Sequence, residues 1–217
     1  MRSGIPVWSE IELAFHYCPA EIIAVTGSNG KTTVTTLIRD VLRASGRSAV
    51  SCGNIGNSFI REIDQLKPGT IAVVEVSSFQ LNYIDQFRPH VAVLLNLSPN
   101  HLDWHASFEE YAGVKCRIFK NQAPSDYSLI NASDHESVKY ATKLKSQVIY
   151  FDGEQNGNPN YAAVEKVASL YQVDLKVTQS VLEGFLGLEH RFEDAGTILD
   201  VRYINDSKST KIGRAHV

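Results

Sequence analysis

The chain runs to 217 residues, 43% hydrophobic and 21% charged, with a formal net charge of -3. That length suits one good-sized domain, or one domain with pieces of its neighbours, and the slight acidity offers nothing to nucleic acid or to an anionic membrane. No run approaches 18 apolar residues, Glu10 and Glu12 are unlike a signal peptide, and Cys18, Cys52 and Cys116 lack a C-x-x-C, which predicts a cytoplasmic protein with reduced thiols and no membrane insertion.

Ile22–Val25 is the first of five short apolar runs rich in β-branched residues; the others are Ile71–Val76, Val91–Leu95, Ser128–Ile130 and Val148–Phe151. Each predicts a strand buried on both faces. After the first run, Val34, Leu37, Ile38, Val41 and Leu42 repeat at helical spacing, and Gly46 stands where that helix would stop. Ser107 and Glu110 have capping-box spacing and predict a helix running to about Asn121. Asp152–Asn160 reads as a turn-rich connector, and Val164, Val167, Ala168 and Tyr171 form a further apolar stripe. Tyr203–Lys208 is strand-like and then polar. The alternation predicts an α/β fold of P-loop type: a mostly parallel sheet with helices on both faces and ligands at the carboxyl ends of the strands.

Residues 26–33, Thr-Gly-Ser-Asn-Gly-Lys-Thr-Thr, lie between the first strand and the first helix. Loop amides and a helix N-terminus in that order make a phosphate cradle, to which Lys31 adds a point charge and Thr32 a hydroxyl for Mg²⁺. The usual pattern wants a glycine five residues before Gly30, where this chain has Val25. Glu75, at the end of a strand, is placed either to hold that Mg²⁺ or to serve as an edge carboxylate in a salt bridge. His101 and Asp103 follow another strand; His-x-Asp-x-His suggests a transition metal, but no partner pair at zinc spacing exists, which favours a Mg²⁺- or phosphate-facing His101. Composition alone reads Lys115 as an exposed lysine on a charged helix.

Residues 26–33 resemble the ATP loop of the Mur ligase superfamily, whose loop dispenses with the early glycine. Further ordered blocks are similar to its D-glutamate-adding branch: Gly53–Gly56, Glu75–Leu81, His101–His105, Phe108–Tyr111 with Lys115 and Arg117–Phe119, Leu188–Glu193, and Ile204–Lys208. The resemblance implies ATP-dependent joining of D-glutamate to UDP-N-acetylmuramoyl-L-alanine through an acyl phosphate, by a monomer, in peptidoglycan precursor synthesis. It also implies roles. Gly27, Ser28, Asn29, Gly30, Lys31, Thr32 and Thr33 hold the nucleotide phosphates, with Lys31 catalytic. Thr32 and Glu75 bind one Mg²⁺; His101 and Lys115, both catalytic, serve a second, with Lys115 carbamylated. Asn54, Ser77, Gln80 and Lys208 face the substrate, and Asn160, Arg191 and Asp206 reach the nucleotide. The family's His-Asn-x-x-Asn stretch is replaced here by Gln155–Asn160, which weakens the case for an adenine contact through Asn160.

On the same resemblance, residues 1–9 are the tail of a UDP-binding domain, 10–187 the central ATP-binding domain and 188–217 the truncated start of a C-terminal domain, with 211–217 foreign in character. A fragment of that kind leaves alternatives: a Mg-ATP-binding module without turnover, or another ligase of the superfamily such as a folylpolyglutamate synthase.

Overall fold

The computed structural model describes residues 5–154, 157–188 and 193–208. Its chain divides into two units, Met1–Leu182 and Glu183–Val217. That division falls five residues before the boundary expected at 187/188.

The first unit opens with helix α1 (Glu10–Tyr17) and strand β1 (Glu21–Thr26), followed by α2 (Lys31–Ala44) and β2 (Ala49–Gly53). Then come α3 (Phe59–Glu62), β3 (Ile71–Glu75), α4 (Ser78–Leu81), β4 (Val91–Leu94) and α5 (Phe108–Cys116). Strand β5 (Tyr127–Asn131), α6 (His135–Ala141), β6 (Gln147–Phe151) and α7 (Pro159–Leu170) follow, and α8 (Leu175–Glu183) ends at the division between the units. The six strands form one parallel sheet in the order β2-β3-β1-β4-β5-β6.

Alternation along β1 explains the layering. Ile22 and Ala24 join a core with α1, α3 and α5 residues Ile11, Phe59 and Ala112. Their neighbours Ile23 and Val25 point the other way, toward the face where α2 packs on β1 and β3 and α7 packs on α2 and β5. The buried apolar residues of α2, Val34, Leu37, Ile38, Val41 and Leu42, are the stripe expected from spacing. Gly46 follows the helix at φ +85°. Because β1 lies between β3 and β4, the chain leaves it in one direction for β2 and β3 and in the other for β4 to β6. The crevice above β1 is the switch point at which parallel sheets bind ligands.

Several expectations are corrected. Ala49–Gly53 is a strand that no apolar run announces, because as an edge it buries only Ala49 and Cys52 fully. Strand β6 is the opposite edge rather than buried on both faces, with Tyr150 48% exposed. Helix α5 stops at Cys116 and tightens into a 3₁₀ turn, Arg117–Phe119. Only half of its capping box forms: Ser107 caps Glu110 N–H, but the Glu110 carboxylate accepts from Ala106. Asn160 is not in a connector; it belongs to the first turn of α7, capped by Asn158. All three cysteines are free thiols, and burial pushes Cys116 up to about 12.

Helix α1 is held by a buried carboxylate. Glu12, 0% exposed, accepts the backbone N–H groups of Asp85, Gln86 and Phe87 at 2.8, 2.8 and 2.9 Å, with His16 Nε2 at 3.1 Å. The second unit holds the antiparallel pair β7 (Glu193–Ile198) and β8 (Val201–Asn205).

Removing one partner from a buried network strands the others, so Glu12→Ala should lower unfolding stability by about 2–4 kcal/mol. Urea unfolding measures this; a loss under about 0.5 kcal/mol, the range of ordinary surface substitutions, would mean that the 85–87 turn holds itself.

Candidate nucleotide-binding site

Three strand ends build the site, and the loop after β1 is its floor. Gly30 caps α2 at φ +81°, a left-handed conformation that glycine adopts without cost. A β-carbon there would strike Asn160 Oδ1, which places the start of α7 directly against the loop. At Gly27 a β-carbon would come within 2.9 Å of Leu95 Cβ, where the loop crosses the end of β4. The first bond along α2 runs from Val34 N–H to Gly30 C=O, so the opening amides of the helix face out along its axis, where anions bind. Lys31 folds over the loop, its ammonium donating to the Gly27 and Ser28 carbonyls at 2.8 and 3.2 Å. Thr32 and Thr33 lie in the first turn of the same helix.

The loop is braced from the side by residues that follow β4. Ser28 N–H donates to Asn96 C=O at 2.9 Å, and Asn29 N–H donates to Asn96 Oδ1 at 2.9 Å. Ser28 Oγ donates to Ser98 C=O at 3.0 Å and lies 3.0 Å from the Tyr111 hydroxyl. This corrects the picture of every loop amide facing phosphate: those of Ser28 and Asn29 are spent on Asn96.

Glu75 ends β3 and is 2% exposed. Its Oε1 accepts from Asn54 Nδ2 at 2.9 Å, while Oε2 is buried without a hydrogen-bond partner. An unmatched carboxylate oxygen at this depth is costly unless a cation serves it. Among the described residues no three His, Cys, Asp or Glu side chains converge on one point. That donor set fits Mg²⁺, which takes one or two protein oxygens and completes its shell with phosphate and water.

Lys115 overturns its reading as an exposed helix lysine, being 2% exposed. Its ammonium sits 4.9 Å over the Tyr111 ring and 3.5 Å from Thr26 Oγ1, which itself donates to Val76 C=O at 2.8 Å. Burial, and then the Lys31 charge, hold the amine well below the ordinary lysine value, with Glu75 opposing. His101 lies close by: burial and the Lys115 charge lower its pKa, and Asp103 opposes them. Its ring stands edge-on to Phe79 at 5.1 Å and 6.5 Å from the Tyr111 ring.

Ser77 and Gln80 cap α4 with each other. Gln80 Oε1 accepts from Ser77 N–H and Oγ at 3.0 and 2.9 Å, and Gln80 N–H donates back to Ser77 Oγ at 3.3 Å. Glu75, Lys31, Lys115, His101, Asn54 and Asn160 thus gather around the ends of β1, β3 and β4. Asp206 and Lys208 follow β8 in the second unit, and Arg191 lies outside the described residues. Sequence reasoning assigned no role to Tyr111, Asn96 or Ser98. Tyr111 stands four residues before Lys115 on one helix face, the spacing that puts its ring beneath the amine.

A parallel sheet with a glycine-rich loop at its switch point, flanked by a buried carboxylate and a buried lysine, defines the class as an α/β domain of P-loop type with a candidate nucleotide site. Comparison with known proteins goes further. The Mur ligase middle domain family matches residues 25–185. A UDP-N-acetylmuramoylalanine–D-glutamate ligase of Koribacter versatilis is 37% identical over 97% of this chain and 54% of its own length. Its counterpart in Streptococcus thermophilus is 39% identical over 98% and 54%. Among solved structures, MurF from Acinetobacter baumannii has a TM-score of 0.73 at 17% identity, covering 91% of this chain and 52% of that one. MurF from Thermotoga maritima in complex with ADP has a TM-score of 0.71 at 20% identity, covering 91% and 56%. The chain belongs to the Mur ligase family, and it spans about half the length of the curated relatives it matches.

The Lys115 environment sets a pH dependence. With the folded pKa held below the ordinary 10.5, the unfolded chain binds the extra proton between the two values, so stability rises with pH through that window. Lys115→Met should therefore be more stable than the parent at neutral pH, by a margin that shrinks as pH approaches 10.5. Urea unfolding across pH measures it; a margin independent of pH would contradict a depressed amine.

Proposed function

We propose that the whole protein to which this chain belongs joins D-glutamate to UDP-N-acetylmuramoyl-L-alanine at the expense of ATP, in the cytoplasm and as a monomer. One observation carries the reading: Lys31, Glu75 and Lys115 converge at the switch point of a chain 35–39% identical to ligases of that name. The fold likeness to a folylpolyglutamate synthase has 15% identity and supports architecture alone.

In this reading the opening amides of α2 and the Lys31 ammonium bind the β- and γ-phosphates, and Asn160 borders the cradle at Gly30. Thr32 and Glu75 hold one Mg²⁺; His101 and Lys115 hold a second once Lys115 carries a carbamate. Bound there, Mg²⁺ supplies charge neutralisation across the transferring phosphoryl group. The neutral amine favoured by burial is the form that adds CO₂, and the carbamate replaces a repelling cation with a hard oxygen donor. Asn54, Ser77 and Gln80 orient the substrate carboxylate toward the γ-phosphate. That carboxylate attacks, ADP departs, and the D-glutamate amine then displaces phosphate from the acyl phosphate. On the family resemblance Arg191 and Asp206 would serve the nucleotide and Lys208 the substrate.

The coverage of 54% of the relatives' length favours a second reading for the chain by itself, a Mg-ATP-binding module without turnover. Full-length protein should release ADP only when D-glutamate and the UDP-sugar are both present, and the isolated chain should bind Mg-ATP without releasing it. Lys31→Ala should abolish binding by either in a calorimetric titration; unchanged affinity would remove the phosphate-loop assignment.

A further inference from the structure

The proposed chemistry leaves one buried imidazole unused. His105 is 1% exposed, and its Nε2 lies 3.2 Å from Ser78 Oγ in the first turn of α4. The ring stacks on Phe79 at 6.1 Å and meets Trp104 and Tyr111 edge-on at 4.7 and 5.3 Å. Its Nδ1 is buried without a hydrogen-bond partner, with Glu110 Oε1 3.9 Å away. Of the two ring nitrogens Nε2 is the one with a partner, and the hydroxyl of Ser78 can either donate to it or accept from it.

Backbone bonds tie that ring to His101. The N–H groups of His105 and Trp104 both donate to the His101 carbonyl, at 2.9 and 3.1 Å. His101 itself has φ +54°, a left-handed conformation that a side chain with a β-carbon disfavours and that persists only where its surroundings impose it. The upstream end of the same loop is fixed independently: Asn96 pairs with Asn29, and Leu97 N–H donates to Asp134 at 2.8 Å. Between that anchor and α5, His105 is the one fully buried polar side chain among the described loop residues.

We infer that His105 is a positioning residue: anchored on Ser78, it closes the 101–105 turn and holds the His101 imidazole beside the Tyr111 ring over which the Lys115 amine sits. It touches no reacting atom and acts through His101. The His105–Ser78 contact ties the loop after β4 to the helix after β3, so His101 in that loop and Glu75 at the end of β3 keep a fixed separation. Its consequence for metal binding rests on the reading of His101 as a ligand of the second Mg²⁺; its consequence for the turn does not.

The test uses full-length protein with His105→Phe, which keeps a ring and loses Nε2, Ser78→Ala, which removes the partner, and His105→Gln, which restores a hydrogen-bonding group of similar reach. Amide hydrogen exchange of residues 101–105 and Trp104 emission, the latter in a Trp8→Phe background, are read without nucleotide. Binding of Mn²⁺ is read by electron paramagnetic resonance with a non-hydrolysable ATP analogue. We expect faster exchange and a red shift in the Phe and Ala variants, and Mn²⁺ affinity at the second site about tenfold weaker, the usual effect of losing a group that orients a metal ligand. His105→Gln should recover most of the loss, and the Phe/Ala double variant should add little to either single change. Unchanged exchange and emission in His105→Phe would overturn the inference, as would altered exchange with wild-type Mn²⁺ affinity. If the parent binds a single Mn²⁺, the two-metal reading fails and His105 is judged on the turn: faster exchange supports the anchor, and unchanged exchange overturns it.

Discussion

Two lysines and one carboxylate meet at the end of β1, Lys115 and Glu75 buried and Lys31 half-buried, and that charge arrangement is the constraint to which the rest of the unit is fitted. Lys31 and Lys115 repel each other, Glu75 offsets only part of the repulsion, and burial magnifies both effects. The fold meets the imbalance in three ways. The Lys31 ammonium is given two backbone carbonyls. The Lys115 amine is set over an aromatic face beside a hydroxyl and driven toward its neutral form. The spare oxygen of Glu75 is left unmatched, which a folded protein tolerates where an exogenous cation is to be bound. A buried amine driven toward neutrality beside an unmatched carboxylate oxygen is an arrangement that costs stability, which is why the proposed function gives both groups a ligand.

The surrounding scaffold is built to keep that arrangement rigid. Parallel strands bring the relevant side chains to one edge, but the loops must hold them there. Asn96 and Ser98 occupy the flank of the phosphate loop with hydrogen bonds to Ser28 and Asn29, and Tyr111 joins Ser28 from beneath. Burial raises the Tyr111 phenol while its bonds to Ser28 and Asn100 oppose the rise, so the hydroxyl stays protonated at neutral pH and able to donate. Loop, strand and helix are thereby cross-braced through side chains distant in sequence.

Much of this was legible in the sequence. The phosphate loop stood out because strand, glycines, lysine and helix are contiguous, and all five predicted strands are in the sheet, four as interior members as expected and β6 at an edge instead. What escaped were features fixed by tertiary contact. Strand β2 buries too few side chains to form an apolar run. Helix α1 hides its buried position under Glu12, a residue whose type signals solvent until the Asp85–Phe87 amides are in place. Lys115 read as surface because composition cannot reveal that Tyr111 and Thr26 cover it; the family resemblance alone pointed inward. The half-formed capping box at Ser107 shows the same limit, since Glu110 had a nearer donor at Ala106.

The claim on which the account turns is that the buried Lys115 amine is poised to become an anionic metal ligand. The most direct test is ¹³C NMR of the full-length protein equilibrated with ¹³C-bicarbonate, with and without Mg-ADP. The account predicts a carbamate resonance that strengthens with Mg-ADP and is absent when Lys115 is replaced by methionine. Equal spectra for the two proteins, under conditions where the parent binds Mg-ADP, would contradict it and return Lys115 to a purely structural place beneath the phosphate loop.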